Sequence, residues 1–453
     1  MKSFRKVFAS TALVVVGSMS VATMASAESI VGTGATFPAT FQAAATAEYN
    51  KTSGHTVSYS NPTGSGAGKT AFFTAGQDFA GTDSAVSSTQ TGSTAFPWVY
   101  VPYVAGAISI AYRLDALAGA SLNLSIPTIA GIFDGTIKTW NDPLIVADMK
   151  VAPVWVNSTT KSNFKGASVL WTETSATAST ATVTLTPAAL KSAKGKKIEV
   201  FVDSAKKPVK SVTVAAKGQI EIALTTAAAS SYTIKVDGKE VGKFAQQDKT
   251  PTLPSTPITV VYRSSTSGTT NNFIKPLNAF NSKWTVDDSF TKAIPGGVAP
   301  TSFQAGVGSD GVANLIADTN GSIGYTEVSY VTDATRAAKG IRSASVKNVA
   351  GKFVAPTAAA TSSMIADSDI DSKGFVTFNF KQTANTTAYP FVAVTYALGR
   401  TEKTSKAIVV SGYLQWILST YAPAAAESLG YAPLSGAILT VAKNNAMRVG
   451  SGN

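Results

Sequence analysis

The stretch that most constrains this chain is Val261-Tyr262-Arg263-Ser264-Ser265-Thr266-Ser267-Gly268-Thr269-Thr270-Asn271-Asn272-Phe273. A β-prone run over residues 258–262 delivers an arginine to a hydroxyl-rich turn, and a helix-compatible segment follows over 271–280. Ser267, Gly268 and Thr269 therefore stand where a helix begins. The first N–H groups of a helix have no internal partners and carry the positive end of its dipole. Such an end receives an anion, glycine lets backbone approach it closely, and Arg263 adds a planar fork of donors. Taken alone, the stretch reads more simply as a capped helix with Arg263 in a surface ion pair.

The same design recurs upstream. Gly32-Thr33-Gly34-Ala35-Thr36-Phe37-Pro38 joins a short strand to a helix expected over 38–49, so Thr36 stands at a second helix start. Asn61-Pro62-Thr63-Gly64-Ser65-Gly66-Ala67-Gly68-Lys69-Thr70 follows a strand at 55–59 and opens a third helix. It resembles a nucleotide-phosphate loop but has Thr63 where that loop needs glycine. What survives is a glycine-rich helix start with Ser65 as a hydroxyl donor, or plain turn chemistry. Asp78-Phe79-Ala80-Gly81-Thr82-Asp83 reads as a strand ending in a carboxylate, an acceptor for a ligand that carries its own proton or simply a loop cap.

Composition narrows the class. The chain has no cysteine, which excludes disulfides, thiolate metal sites, a cysteine nucleophile and a lipid-modified N-terminal cysteine. Lys2, Arg5 and Lys6, an apolar run and Ala25-Ser26-Ala27 make residues 1–27 a secretory leader, so an exported protein is expected, periplasmic or extracellular. The formal charge of +12 is concentrated. The leader carries three positives, and between Lys150 and Lys249 there are fifteen lysines against seven acidic residues. With no basic patch interleaved with aromatics, nucleic acid is not an expected partner. His55 is the single histidine, and no His/Asp/Glu cluster has metal spacing, so neither catalytic nor metal residues are expected, nor a cofactor.

Long β-prone runs at 98–112 and 389–397 are candidate crossover strands, with Gly106 a candidate bend. Residues 147–256 differ from the rest. Alternating strands at 181–185, 198–202, 211–214, 220–224 and 232–236 suggest a small, immunoglobulin-like β-sandwich, left by a proline-rich linker at 246–257.

These motifs occur together and in order in one family. With Ile132-Phe133-Asp134-Gly135, Thr139-Trp140-Asn141-Asp142-Pro143, residues 321–325 and Gly412-Tyr413-Leu414-Gln415-Trp416, the chain resembles the substrate-binding protein of bacterial ABC phosphate importers over about residues 29–146 and 257–440. The resemblance implies an α/β, two-lobed periplasmic-binding-protein fold of type II, with the all-β sandwich inserted. Lobe I would comprise 28–106 and 390–453, lobe II 107–146 and 257–389, and the insert 147–256. It implies phosphate bound by Thr36, Ser65 and Asp83 from one lobe and by Arg263, Ser267, Gly268 and Thr269 from the other. It further implies the importer's membrane permease subunits as partners. The family's usual acidic residue two positions after the arginine is Ser265 here, and the resemblance is silent on the insert. Two other readings stay open: a secreted surface or matrix protein whose Lys-rich insert binds wall polymer or another protein, and a binder of another oxyanion.

Overall fold

The computed structural model describes residues 27–159, 162–175, 177–225 and 229–452. The expected leader, its final residue apart, lies outside the described residues. The spine is the strand Trp98–Arg113, sixteen residues buried along almost its whole length. Its continuous run of aromatic and β-branched residues suits a central strand covered on both faces. Val392–Arg400 pairs with its first half, from Ala107 back to Trp98, and Ser322–Glu327 pairs with its second half, from Ile108 to Arg113. The spine therefore changes partners between Ala107 and Ile108, next to Gly106, and two lobes share one sheet there.

The sheet runs in the order Gln304–Gly306, Thr259–Arg263, Ser322–Glu327, Trp98–Arg113, Val392–Arg400, Phe79–Thr82, Ser29–Gly34, Thr56–Tyr59. Within each lobe the outer strands are parallel; Val392–Arg400 runs against Phe79–Thr82, Trp98–Arg113 runs against Ser322–Glu327, and these two central strands run against each other. Pro102 sits in the spine although it has no N–H for the ladder. A register shift at Thr395/Tyr396 accommodates it: Val104 faces Thr395, Pro102 faces Tyr396, and Tyr103 is the extra residue.

Residues 154–247 fold into two further sheets. Five strands run in the order Lys210–Thr213, Lys197–Val202, Ser231–Val236, Lys239–Gln247, Val154–Asn157; three run Gln219–Thr225, Ala178–Leu185, Ala167–Ser175. Val183, Ile198, Val200, Ile234, Val236 and Phe244 form a core here separate from that of the two lobes. All five expected strands are present. The helix Pro187–Ala193, capped by the Thr186 hydroxyl, was not expected. The two ends of this β-rich segment meet at a neck. Trp140 N–H donates to the Thr256 carbonyl (3.2 Å), Ile258 N–H donates to that of Lys138 (2.9 Å), and the buried Trp140 indole donates to Gly321 (3.2 Å).

Two expected boundaries move. The helix Pro143–Met149 begins at Asp142, whose side chain caps Leu144 N–H, and it buries Ile145 and Met149 in the lobes' core. The β-rich segment therefore begins after Met149, not at 147. The hairpin of Asp369–Ile370 and Val376–Thr377, assigned to lobe II by position, reaches across to lobe I. Phe375 stacks on Tyr396, and Asn445 donates to the Lys373 carbonyl (3.1 Å).

Candidate functional site

The loops leaving the parallel strands face one another along the seam between the lobes, where open α/β sheets place their ligands. From lobe I come Thr36, Ser65 and Asp83, all buried. Thr36 precedes the helix Ala39–Thr52 by three residues, and Pro38 is the cap, so Thr36 is not itself a helix cap. Ser65 opens the helix Ser65–Thr74. Its hydroxyl donates to Asp83 Oδ2 (3.1 Å) and accepts from the Asp83 N–H (3.0 Å). The other carboxylate oxygen, Asp83 Oδ1, is buried without a partner.

From lobe II comes Arg263, the last residue of its strand. It is buried and carries no ion pair among the described residues, so the simpler reading of a surface salt bridge is wrong. Nη1 donates to Ser309 Oγ (3.2 Å), whereas Nε and Nη2 are buried without partners. Ser265 is exposed. The Ser267 hydroxyl caps the helix Gly268–Phe280 by accepting from Thr270 N–H (3.3 Å). The first helical bond runs from Asn271 N–H to Ser267, so the N–H groups of Gly268 and Thr269 stand ahead of it. A Cβ on Gly268 would lie 2.5 Å from Ser65 Oγ and 2.6 Å from Asp83 Cβ. Only glycine lets this helix start seat on the opposite carboxylate.

All seven expected residues thus meet at one seam. Thr269 is the exception in orientation: its hydroxyl donates to Glu327 Oε1 (2.8 Å). Glu327 is a second buried acid, also held by Thr326 (3.3 Å). Burial is the chief force pushing Asp83 up to about 7, with the charge of Glu327 adding to it. Thr395 and Ser65, by favouring the anion, and the positive charge of Arg263 oppose the shift. The Thr395 hydroxyl makes no well-formed bond of its own. An acid raised in this way holds its proton more tightly folded than unfolded. Its contribution to stability is therefore full below its ordinary 3.8 and lost as pH climbs toward 7.

Several seam residues were missed. Ser309, buried near the start of the helix Gly308–Asp318, shares a hydrogen bond with Thr36 Oγ1 across the seam (3.0 Å). Asn272 donates to the Asp83 carbonyl (2.6 Å), and Tyr330 to that of Thr36 (3.1 Å). Lys69, the lysine of the apparent nucleotide loop, faces elsewhere. It donates to Asp288 Oδ2 (2.9 Å), Ser84 Oγ (3.0 Å) and the Ala85 carbonyl (3.1 Å), tying the lobes together. The run Val307-Gly308-Ser309-Asp310-Gly311 carries the same glycine-flanked hydroxyl as Ser267-Gly268 and was a usable signal for Ser309. Nothing local marks Asp288.

Two lobes on a shared sheet, with helix starts, hydroxyls, an arginine and an acid converging between them, define the type II periplasmic-binding-protein architecture. The chain belongs to the PBP superfamily, whose domain profile matches residues 20–239 and 239–420. It is 27% identical over 365 residues to phosphate-binding protein PstS 2 of Mycobacterium tuberculosis, covering 76% of this chain and 66% of that protein. It is 28% identical over 186 residues to phosphate-binding protein PstS of Xylella fastidiosa, covering 40% of this chain and 48% of that one. The chain thus spans between about half and two thirds of these relatives. Among solved structures, a high-affinity periplasmic phosphate-binding protein bound with phosphate matches with a TM-score of 0.57 at 22% identity, covering 93% of this chain and 96% of the other. The phosphate-binding protein of Stenotrophomonas maltophilia matches at 0.50 and 17%, covering 92% and 93%. At these identities the likeness is one of fold.

Proposed function

We propose that this chain is an extracytoplasmic solute-binding protein that captures monohydrogen phosphate between its lobes for an ABC phosphate importer. One observation carries the reading. Two donors of Arg263 and one acceptor of Asp83 are buried without partners at the same seam. A buried polar group left unpaired costs about 1–3 kcal/mol, so a ligand that offers acceptors to Arg263 and a proton to Asp83 completes the arrangement. Monohydrogen phosphate supplies both. Arg263, the N–H groups of Gly268 and Thr269, and the hydroxyls of Thr36, Ser65, Ser267 and Thr269 hold the anion, with Ser65 turning its proton from Asp83 and Thr269 turning from Glu327 to do so. Asp83 accepts the ligand's proton. Above about pH 7, where Asp83 is ionised, sulfate has no proton to give and meets the carboxylate as a repulsion. The task is binding, not catalysis.

The β-rich segment is read as an inserted module, outside the phosphate site, that contacts an anionic wall polymer or another protein through its exposed lysines. Equilibrium dialysis of the ligand-stripped protein with radiolabelled phosphate tests the main reading. Saturable one-to-one binding displaced by arsenate is expected; no retention above a denatured control would overturn it.

A further inference from the structure

Arg263 is held in an unusual way for a buried guanidinium. The guanidinium's only hydrogen-bond partner among the described residues is a neutral hydroxyl, Ser309 Oγ, at 3.2 Å from Nη1. Ser309 is itself buried, and its oxygen lies 3.0 Å from Thr36 Oγ1 of the opposite lobe. Because the arginine donates to Ser309, the serine's own proton is free to be donated to Thr36. The Thr36 proton is then free in turn to point at the ligand. Donors arranged head to tail polarise one another, and the effect is greatest where water is excluded.

We propose that Ser309 is a positioning residue: it orients Arg263 without neutralising it and carries the guanidinium's polarisation across the seam to Thr36. A carboxylate at this place would orient the fork equally well but cancel its charge. A hydroxyl leaves the full charge for the ligand, and the relay closes only when the lobes do. The inference rests on the oxyanion reading above.

A double-mutant cycle tests it, with Ser309→Ala, Thr36→Val and the pair titrated with phosphate by calorimetry. Ser309→Ala is expected to weaken binding by about tenfold to a hundredfold. The double variant is expected to be no more than about threefold worse than the poorer single one, because both substitutions break the same chain. Independent effects that multiply in full would overturn the proposal, as would a Ser309→Ala variant that binds like the parent. Ser309→Asp separates orientation from charge: affinity is expected to fall further than in Ser309→Ala, and recovery to the parent's affinity would count against the proposal. Should Ser309→Ala not fold, Ser309→Cys replaces it in the cycle, with the same outcomes. Interlobe distance, read by fluorescence energy transfer in the ligand-free protein, keeps the two readings apart. If phosphate does not bind at all, the relay still predicts a more open Ser309→Ala, and an unchanged distance would sink it alone.

Discussion

The seam between the lobes and the core of the β-rich segment are both buried, yet they are built on opposite terms. The segment buries Val183, Ile198, Val200, Ile234 and Val236, and none of its described lysines is buried. The seam buries Arg263, Asp83, Glu327, Ser309 and Lys69. Apolar burial stabilises without asking for partners, whereas every buried polar group must find one. A region that leaves both a guanidinium and a carboxylate unfinished is organised for something that arrives later. The segment's own unpaired buried groups, Trp171 Nε1 and Ser179 Oγ, are neutral, and among its described residues it buries no charge.

The sharpest way to break this contrast is Arg263→Ala. It removes at least two charge-assisted bonds of ~1.5–3 kcal/mol each, so phosphate affinity is expected to fall by roughly a thousandfold or more in calorimetry. Asp83→Asn is expected next, with phosphate-over-sulfate preference dropping by about a hundredfold in competition binding. The same variant alters the pH response. In the parent, phosphate affinity is expected to rise as pH approaches 7, where Asp83 becomes an acceptor, and to level off above it. The asparagine variant keeps only the ligand's own titration. Its ligand-free stability, read by denaturant titration across pH, loses the decline that Asp83 imposes on the parent as pH rises toward 7.

Lys69→Met probes closure in place of contact. It leaves Asp288 without its charged partner, and binding is expected to weaken by about tenfold, with a more open ligand-free form in small-angle scattering. The smallest effect is expected on the other side of the comparison. Replacing residues 151–249, which leave and re-enter the lobes side by side, with a short Gly/Ser link is expected to change affinity by no more than about threefold. A large loss would show that the two regions are not separable.

Much of this arrangement was legible beforehand because it is local. Ser267-Gly268-Thr269 and Gly64-Ser65-Gly66 announce helix starts through residues whose backbone behaviour is nearly context-free. The alternation of 181–185 and 232–236 likewise identifies strands of a two-faced sheet. What stayed hidden depends on long-range closure. Lys69 and Asp288 lie 219 positions apart and Thr36 and Ser309 lie 273 apart, and neither pair has a local pattern. The helix Pro143–Met149 is a short seven-residue element whose packing against the lobes overrides its weak pattern. The hairpin around Gly374 escapes notice because two-residue strands carry no period at all.

The central claim is that the seam is completed by a tetrahedral anion bearing its own proton. Isothermal titration of ligand-stripped protein at pH 8, first with sulfate and then with phosphate in the same cell, tests it most directly. Negligible heat from sulfate followed by tight one-to-one binding of phosphate is the predicted result. Sulfate binding that blunts the phosphate titration would contradict it.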